Sequence, residues 1–411
     1  MPNANPCPAP PPIAPEPAHL RPARCTVLPS RFRNTIHTYA DIPAWNRAMS
    51  HLLYLGFDDF DQPGAIVVRD LATDTETVLA EVHGYNGHTA AWQHWINDDA
   101  EVVFNTMDPD DVYRPYRVRL DAPGKPQPLP PELDHHTFRI ISPDGRYGNA
   151  HVEHHVAQTT PHGIEFDFQT GERKPLISVA EALDALPEDL RDPDPEQRFF
   201  LNHTVTSPDR SRMFFKLIRT KPRMTGAGMT AFCALMTKNL ETGRVLFLGD
   251  RISGHPIWLP DSRRIVNVMS PWDQSDNRWL VVQDADTGAC VRLTDGVIEG
   301  PGHPSISPDG RLLVTDAFTA DRLTCPIYLL DLTSGALRET ARLQHRFVVP
   351  ERPKPTPRKT RALRGRPDIG RGQPHPVWSP DGRQVLVNNN PDGTHMELVV
   401  LSDLLADPAT I

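Results

Sequence analysis

Residues 301–317 read PGHPSISPDGRLLVTDA, and this stretch decides the fold. Within it, SPDGR at Ser307–Arg311 is a turn phrase: proline pre-sets φ and glycine supplies a positive φ. An apolar run follows at once, so the phrase reads as a hairpin between two short antiparallel strands. The phrase recurs as ISPDGR at Ile141–Arg146, TSPDRS at Thr206–Ser211, LPDSRR at Leu259–Arg264 and SPDGR at Ser379–Arg383. Strand-like runs such as RMFFKLI, RIVNVMS and QVLVNNN come after these copies.

A second turn phrase closes each unit. It stands as DLATDTET after Arg69, LDAPGKPQ from Leu120, DFQTGERK from Asp167, NLETGRVL from Asn239, DADTGACV from Asp284 and DLTSGALR from Asp331. The order is therefore strand, SPDG turn, strand, loop, strand, TG turn, strand. A four-stranded meander repeated at roughly 45–50 residues is a propeller blade. Seven units are counted from about residue 50, and the expectation is an all-β chain, a seven-bladed β-propeller of four-stranded antiparallel blades over residues 25–411. An α/β or sandwich fold is the competing reading, and the constant order of the two turn phrases argues against it. Closing the ring requires the last blade to borrow a strand, with residues 30–48 as the expected donor. Residues 1–24, rich in Pro and Ala, read as a disordered or polyproline II tail. ISVAEALDALPEDL reads as a helical insertion at about 177–192, between the third and fourth units. A basic, Pro-rich segment at about 345–372 reads as a long inserted loop.

Composition narrows the function classes. The chain has 411 residues and a net charge of -9, which argues against general nucleic-acid binding. No window approaches the roughly 18 consecutive apolar residues of a membrane span. The N-terminus has neither the basic start nor the apolar core of a secretory signal. Five cysteines, Cys7, Cys25, Cys233, Cys290 and Cys325, form no motif and fit reduced thiols better than a disulfide framework. A cytoplasmic protein with no nucleic-acid or membrane partner is expected.

A histidine register is more selective than the fold. His203, His255, His303 and His375 each stand four residues before the Ser or Leu of a turn phrase. In a propeller the first strand of each blade is innermost, so these imidazoles are expected to converge. A lone histidine there would as readily bond a neighbouring carbonyl; four in one register point to metal ligation or catalysis. Gln373 lies two residues before His375, on the same strand face by the period of two. An amide oxygen beside imidazoles suits a divalent transition metal such as Mn²⁺, Fe²⁺ or Zn²⁺. Lys216 follows two phenylalanines, whose apolar flank favours a depressed pKa and a role as base; simple exposure is the alternative. Arg361, Arg364, Arg366 and Arg371 of the basic loop are candidates to clamp a sugar carboxylate, with Arg219 a further substrate-binding candidate, or else the loop is a solvated linker. In HGYNGHTAAWQHW (His83–Trp95), His88, Trp92 and Gln93 are candidates to contact a sugar, although Trp92 and Trp95 equally suit a core.

The phrases FLNHTVTSPD…MFFK, SGHPIWLPD, GPGHPSISPDGRLLVTDAF and QPHPVWSPDGRQVLVNN resemble the oligogalacturonate lyase-like propellers, over about residues 50–405. A related set acts on rhamnose–glucuronate linkages, and the SPDG turns alone are shared with TolB-like propellers. The resemblance implies a cytoplasmic seven-bladed lyase acting on an acidic oligosaccharide, with a divalent metal, usually manganese, held by histidines and a glutamine. It places His303 and His375 at metal-binding positions, Gln373 where the lyases carry another histidine, and His255 in the active site. Lys216 departs from it, standing where these families carry a histidine that is the base in the lyases. β-Elimination then assigns the carboxylate to the metal, proton abstraction to Lys216, and the leaving group to His203 or His255. The competing readings are a propeller glycosidase acting on a uronate-linked sugar and a non-enzymatic TolB-like scaffold.

Overall fold

The Ser-Pro-Asp-Gly phrases close their hairpins with one set of bonds. At residues 307–312 the Ser307 N–H donates to Leu312 O and the Gly310 N–H to Ser307 O, both at 2.8 Å. The Leu312 N–H donates to Ser307 Oγ at 2.9 Å, the Arg311 N–H to Asp309 Oδ1 at 3.0 Å, and Gly310 takes a φ of 73°. Where the glycine is replaced, Arg210 (φ 62°) and Ser262 (φ 58°) occupy the left-handed position, at a cost of roughly 1–2 kcal/mol each. Arg210 recovers part of this: it makes two bonds to Glu165, at 2.9 and 2.8 Å, and lies 3.3 Å over the Tyr147 ring. The TG turns use an Asx device. Asp284 Oδ1 accepts from the N–H groups of Asp286 and Thr287 at 3.0 and 2.9 Å, and Gly288 supplies the positive φ.

The computed structural model describes residues 19–406 except 60, 153–162, 192–197, 221–229, 251–253, 270–278, 295–297, 299–300, 318, 320 and 347–371. The fold is a seven-bladed β-propeller of four-stranded antiparallel blades, with almost no helix. Blades one and two begin with Asn34–Ile36 and His94–Ile96, three and four with His136–Ile141 and Arg198–Thr206. Blades five, six and seven begin with Ile257–Trp258, Pro301–Ile306 and Val377–Trp378. The expected helical insertion is the short helix Val179–Asp184, started by a capping box of Ser178 and Glu181, between blades three and four. Among the described residues no helix is long and apolar enough to cross a membrane.

The described residues group into two compact units, one of residues 136–297 and one of residues up to 135 together with those from 298 on. The first holds blades three to five. Leu176, Leu201, Phe215 and Met236 pack between blades three and four, and Phe214, Leu235, Trp258 and Ile265 between four and five. The second holds blades six, seven, one and two, joined by equivalent apolar layers.

Three expectations are corrected here. The strand lent to blade seven is Arg24–Val27, paired with Glu397–Ser402, not a segment of 30–48; Asn34–Ile36 from that segment begins blade one. The tail ends earlier than expected, because Leu20 is fully buried and bridges Leu405. Its leucine side chain fills the layer between blades six and seven, which the Pro/Ala-rich composition before it obscures. Cys290 is disulfide-bonded, whereas Cys25, Cys233 and Cys325 are thiols, so the all-thiol expectation fails at Cys290. Leu20→Ala is expected to destabilise the protein by about 2–5 kcal/mol in urea unfolding, the cost of a core cavity, where a tail residue would show no change.

Candidate functional site

In the unit of residues 136–297 the first strand of blade four is bulged between Asn202 and Val205, and His203 sits in the bulge at φ 51°. A bulky residue held in the left-handed region costs of order 1–3 kcal/mol, and such strain gathers at functional sites. The bulge turns the imidazole toward His255: Nε2 of His203 lies 2.9 Å from Nδ1 of His255. Asn202 Oδ1 lies 2.8 Å from His203 Nδ1 and accepts the His203 backbone N–H at 2.6 Å. Both rings are half-buried. Lys216, on the second strand of blade four, is buried and its Nζ donates to the carbonyl of Gly254, the residue before His255. Burial pushes the Lys216 pKa down to about 8, with the Cys233 thiol opposing and the Arg139 guanidinium reinforcing the shift. Arg139 is itself almost wholly buried, at a bulge in the first strand of blade three. Arg219 lies opposite Phe199 in the ladder, and its side chain is outside the described residues.

In the second unit His303 and His375 come together, with ring centroids 4.3 Å apart. His88 joins them, 4.9 Å from His375 and 6.4 Å from His303. The Tyr39 ring lies against all three, at 4.3 Å from His375, 5.4 Å from His303 and 5.8 Å from His88. Trp92 stacks on Tyr39, with ring centroids 6.4 Å apart. An Asx turn, in which Asn86 Oδ1 accepts from the N–H groups of His88 and Thr89, sets His88 in place. His303 Nδ1 lies 3.0 Å from Asp316 Oδ2, and its backbone N–H donates to the other oxygen of the same carboxylate. A carboxylate accepts only, so the proton is on Nδ1 and Nε2 carries the lone pair, as in metal-ligating histidines. Gly302 permits this contact: a Cβ there would collide with the Asp316 carboxylate. Asn388 binds two segments of this unit, accepting from the His37 N–H at 2.9 Å and donating to His37 O and Gln373 O at 3.2 and 3.3 Å. His37 is fully buried, and burial lowers its pKa to about 3, opposed only in part by the backbone of His375 and Pro374.

Several sequence expectations are revised. Residues 372–376 are not strand and His375 has φ 46°, so the period of two does not relate Gln373 to His375. The Gln373 Oε1 is nonetheless buried without a hydrogen bond. Both amide atoms of Gln93 are committed to the chain, to the Ala91 N–H and to Ile36 O, and the Trp95 indole donates to Ala44 O. Arg361, Arg364, Arg366 and Arg371 lie outside the described residues. The ends of their loop are joined, since His345 Nε2 is 2.9 Å from Gly372 O. Asp316, Tyr39, His37, Asn202 and Arg139 were not singled out from sequence. The one available signal was polar residues inside apolar strands, as in LLVTDAF and FRII.

As a donor set, two imidazoles, a third nearby and a buried amide oxygen suit a divalent first-row metal. Among the described residues no group of three or more His, Cys, Asp or Glu stands in metal-holding geometry. The fit is thus one of donor chemistry, anchored by the His303–Asp316 contact.

No family profile and no curated protein sequence matches the chain. Solved structures do. An oligogalacturonate lyase in complex with manganese superposes with a TM-score of 0.65 over 96% of this chain and 97% of its own, at 18% identity. An oligogalacturonate lyase from Vibrio parahaemolyticus gives a TM-score of 0.63 over 94% and 96%, at 15% identity. The β-propeller domain of the Trilobed protease from Pyrococcus furiosus gives 0.54 over 92% and 97%, at 13%. These likenesses establish a shared fold, and it is the fold of the lyases that the sequence motifs resembled. Gly302→Ala is expected to cost about 1–3 kcal/mol in chemical denaturation, since the added methyl displaces the buried Asp316 carboxylate; an unchanged unfolding midpoint would remove the close contact from the account.

Proposed function

We propose that this protein is a carbohydrate-active lyase that cleaves a uronic-acid-containing oligosaccharide by β-elimination with the help of a divalent metal, Mn²⁺ foremost. The supporting observation is the meeting of His303, His375 and His88, with the His303 tautomer set by Asp316. The likeness of the whole chain to a manganese-bearing oligogalacturonate lyase adds the fold in which such chemistry is known.

In this reading His303, His375 and Gln373 hold the ion, with His88 beside them. The chemistry such an ion supplies is neutralisation of the uronate carboxylate, which acidifies the C5–H bond. Asp316 orients His303 and keeps its Nε2 lone pair available as a donor. Arg371 and Arg219 are the arginines assigned to the substrate's charge. Lys216 is assigned the C5 proton: the neutral amine keeps a hydrogen on Gly254 O while its lone pair accepts another. An ordinary lysine, with a pKa of about 10.4, is nearly all protonated at neutral pH, whereas one at about 8 is partly neutral. His203 and His255 are assigned the leaving-group oxygen.

The test is to incubate purified protein with a panel of uronic-acid oligosaccharides, with and without Mn²⁺, and follow the near-ultraviolet absorbance of an unsaturated uronate. Saturated products alone would replace the lyase by a hydrolase. Metal content is a separate readout: His303→Ala with His375→Ala should abolish it, and Asp316→Asn should weaken affinity by about 10–100-fold in titration calorimetry. Because the base must be unprotonated while the leaving-group histidine must hold a proton, the rate should pass through a maximum with pH, one of its two limbs set by the Lys216 pKa of about 8. Lys216→Ala should remove turnover while leaving metal content unchanged, and a fully active Lys216→Ala protein would return the lysine to a structural role.

A further inference from the structure

Three contacts around His203 set the positions of the protons between Asn202, His203 and His255. Asn202 Oδ1 accepts the His203 backbone N–H at 2.6 Å, and a backbone N–H only donates, so this atom is the amide oxygen and not the nitrogen. The same oxygen lies 2.8 Å from His203 Nδ1, which must therefore carry a hydrogen. In a neutral imidazole the other nitrogen is then an acceptor, so His203 Nε2 accepts. Its partner at 2.9 Å, Nδ1 of His255, must donate. The lone pair of His255 is thereby left on Nε2. When the pair takes up one proton, His255 Nε2 receives it with every one of these bonds intact. Protonating His203 Nε2 instead would break its bond to His255.

Two further contacts hold this direction in place. Lys216 Nζ donates to Gly254 O, which fixes the backbone entering His255, and Gly254 is confined because a Cβ would collide with Val268. His203 is kept in its left-handed conformation at the bulge, the geometry that lets its ring reach both Asn202 and His255.

We propose that Asn202, His203 and His255 form a directional hydrogen-bond relay that makes Nε2 of His255 the atom at which a proton is exchanged with substrate, with Asn202 and His203 as positioning residues. The chemical step rests on the eliminative reading. There the C5–H proton passes to Lys216, and the C5–H electron pair becomes the new C4–C5 double bond. The C4–O bond breaks with its electrons on oxygen, and that oxygen takes the extra proton that His255 Nε2 holds when the pair is protonated, which leaves His255 in its neutral Nδ1–H form. Exchange with solvent then returns a proton to His255 and removes one from Lys216.

The experiment uses the full chain with ¹⁵N-labelled histidine, at a pH where the imidazoles are neutral, and reads the tautomer of His255 from its two ring-nitrogen shifts. The wild type should show the Nδ1–H form, the less common one for a free imidazole. Asn202→Ala should move the His203 proton to Nε2 and so switch His255 to Nε2–H, whereas Asn202→Asp, which keeps an acceptor oxygen, should retain the wild-type pattern. On a substrate that the wild type cleaves, Asn202→Ala should lower kcat by about 10²-fold with KM changed by less than about twofold, and Asn202→Asp should recover part of the loss. A wild-type His255 protonated on Nε2, or a tautomer indifferent to Asn202→Ala, overturns the relay even where lyase activity is present. The tautomer switch without any uronate cleavage upholds the relay and removes the lyase reading.

Discussion

One hydrogen bond, used twice in the same register, sets the spacing of the histidines. The Trp258 indole donates to Val205 O at 3.1 Å, and the Trp378 indole to Ser305 O at 3.2 Å. In each case the tryptophan stands three residues after a histidine, His255 or His375. The accepting carbonyl stands two residues after the histidine of the preceding blade, His203 or His303. A buried indole N–H needs an acceptor, so the bond is costly to break, and it locks two neighbouring first strands at a fixed offset. Histidines carried at that offset have to meet. Their centroids lie 5.1 Å apart in one unit and 4.3 Å in the other. The apolar layers between blades hold the sheets together, but they are non-directional and would tolerate a slip that the indole does not.

This explains why part of the site was legible in the sequence. Turn phrases gave the blades because Pro, Gly and Asx residues have local conformational reasons to stand where they do. The histidine register gave two meeting pairs because a repeat carries equivalent positions to equivalent places. What repeats cannot carry is the residue that belongs to one blade only. Asp316 lies in an apolar strand, and only the collision-free space over Gly302 reveals that its carboxylate faces His303. Tyr39 and His37 come from the segment that was expected to close the ring, so their place beside His375 followed from a strand pairing that was read wrongly. The period of two failed at Gln373 for a similar reason: it presumes extended backbone, and His375 has a positive φ.

Lys216 and Arg139 show the electrostatic side of the same design. Desolvation disfavours the charge of the buried Lys216, and the Arg139 guanidinium disfavours it further. The lysine pKa accordingly drops to about 8. The cost to the fold is lowest where the ammonium finds a fixed dipole, and the Gly254 carbonyl supplies one. A single contact therefore both tolerates the buried amine and anchors the backbone that carries His255. Folding stability should follow with a definite sign. The unfolded chain holds its lysine proton to higher pH than the native one, so this group makes the protein more stable as pH rises from about 8 toward 10.

The two histidine pairs differ in the partner that orients them, and the difference bears on what each can do. His303 is held by a carboxylate, which fixes the proton on Nδ1 and also adds a negative charge. That combination makes Nε2 a better donor to a cation, the arrangement common around bound metals. His203 is held by an amide oxygen, which fixes the proton on Nδ1 with no charge at all. The Asn202 oxygen thus gives the pair a direction without adding a charge of its own. A carboxylate in place of Asn202 would bias the pair toward holding its proton, and an apolar residue would remove the acceptor that keeps the His203 proton on Nδ1. The same four-residue spacing before the turn phrases thus brings one histidine against a carboxylate in one unit and another against an amide oxygen in the other. The distinction is made by the side chain that meets Nδ1.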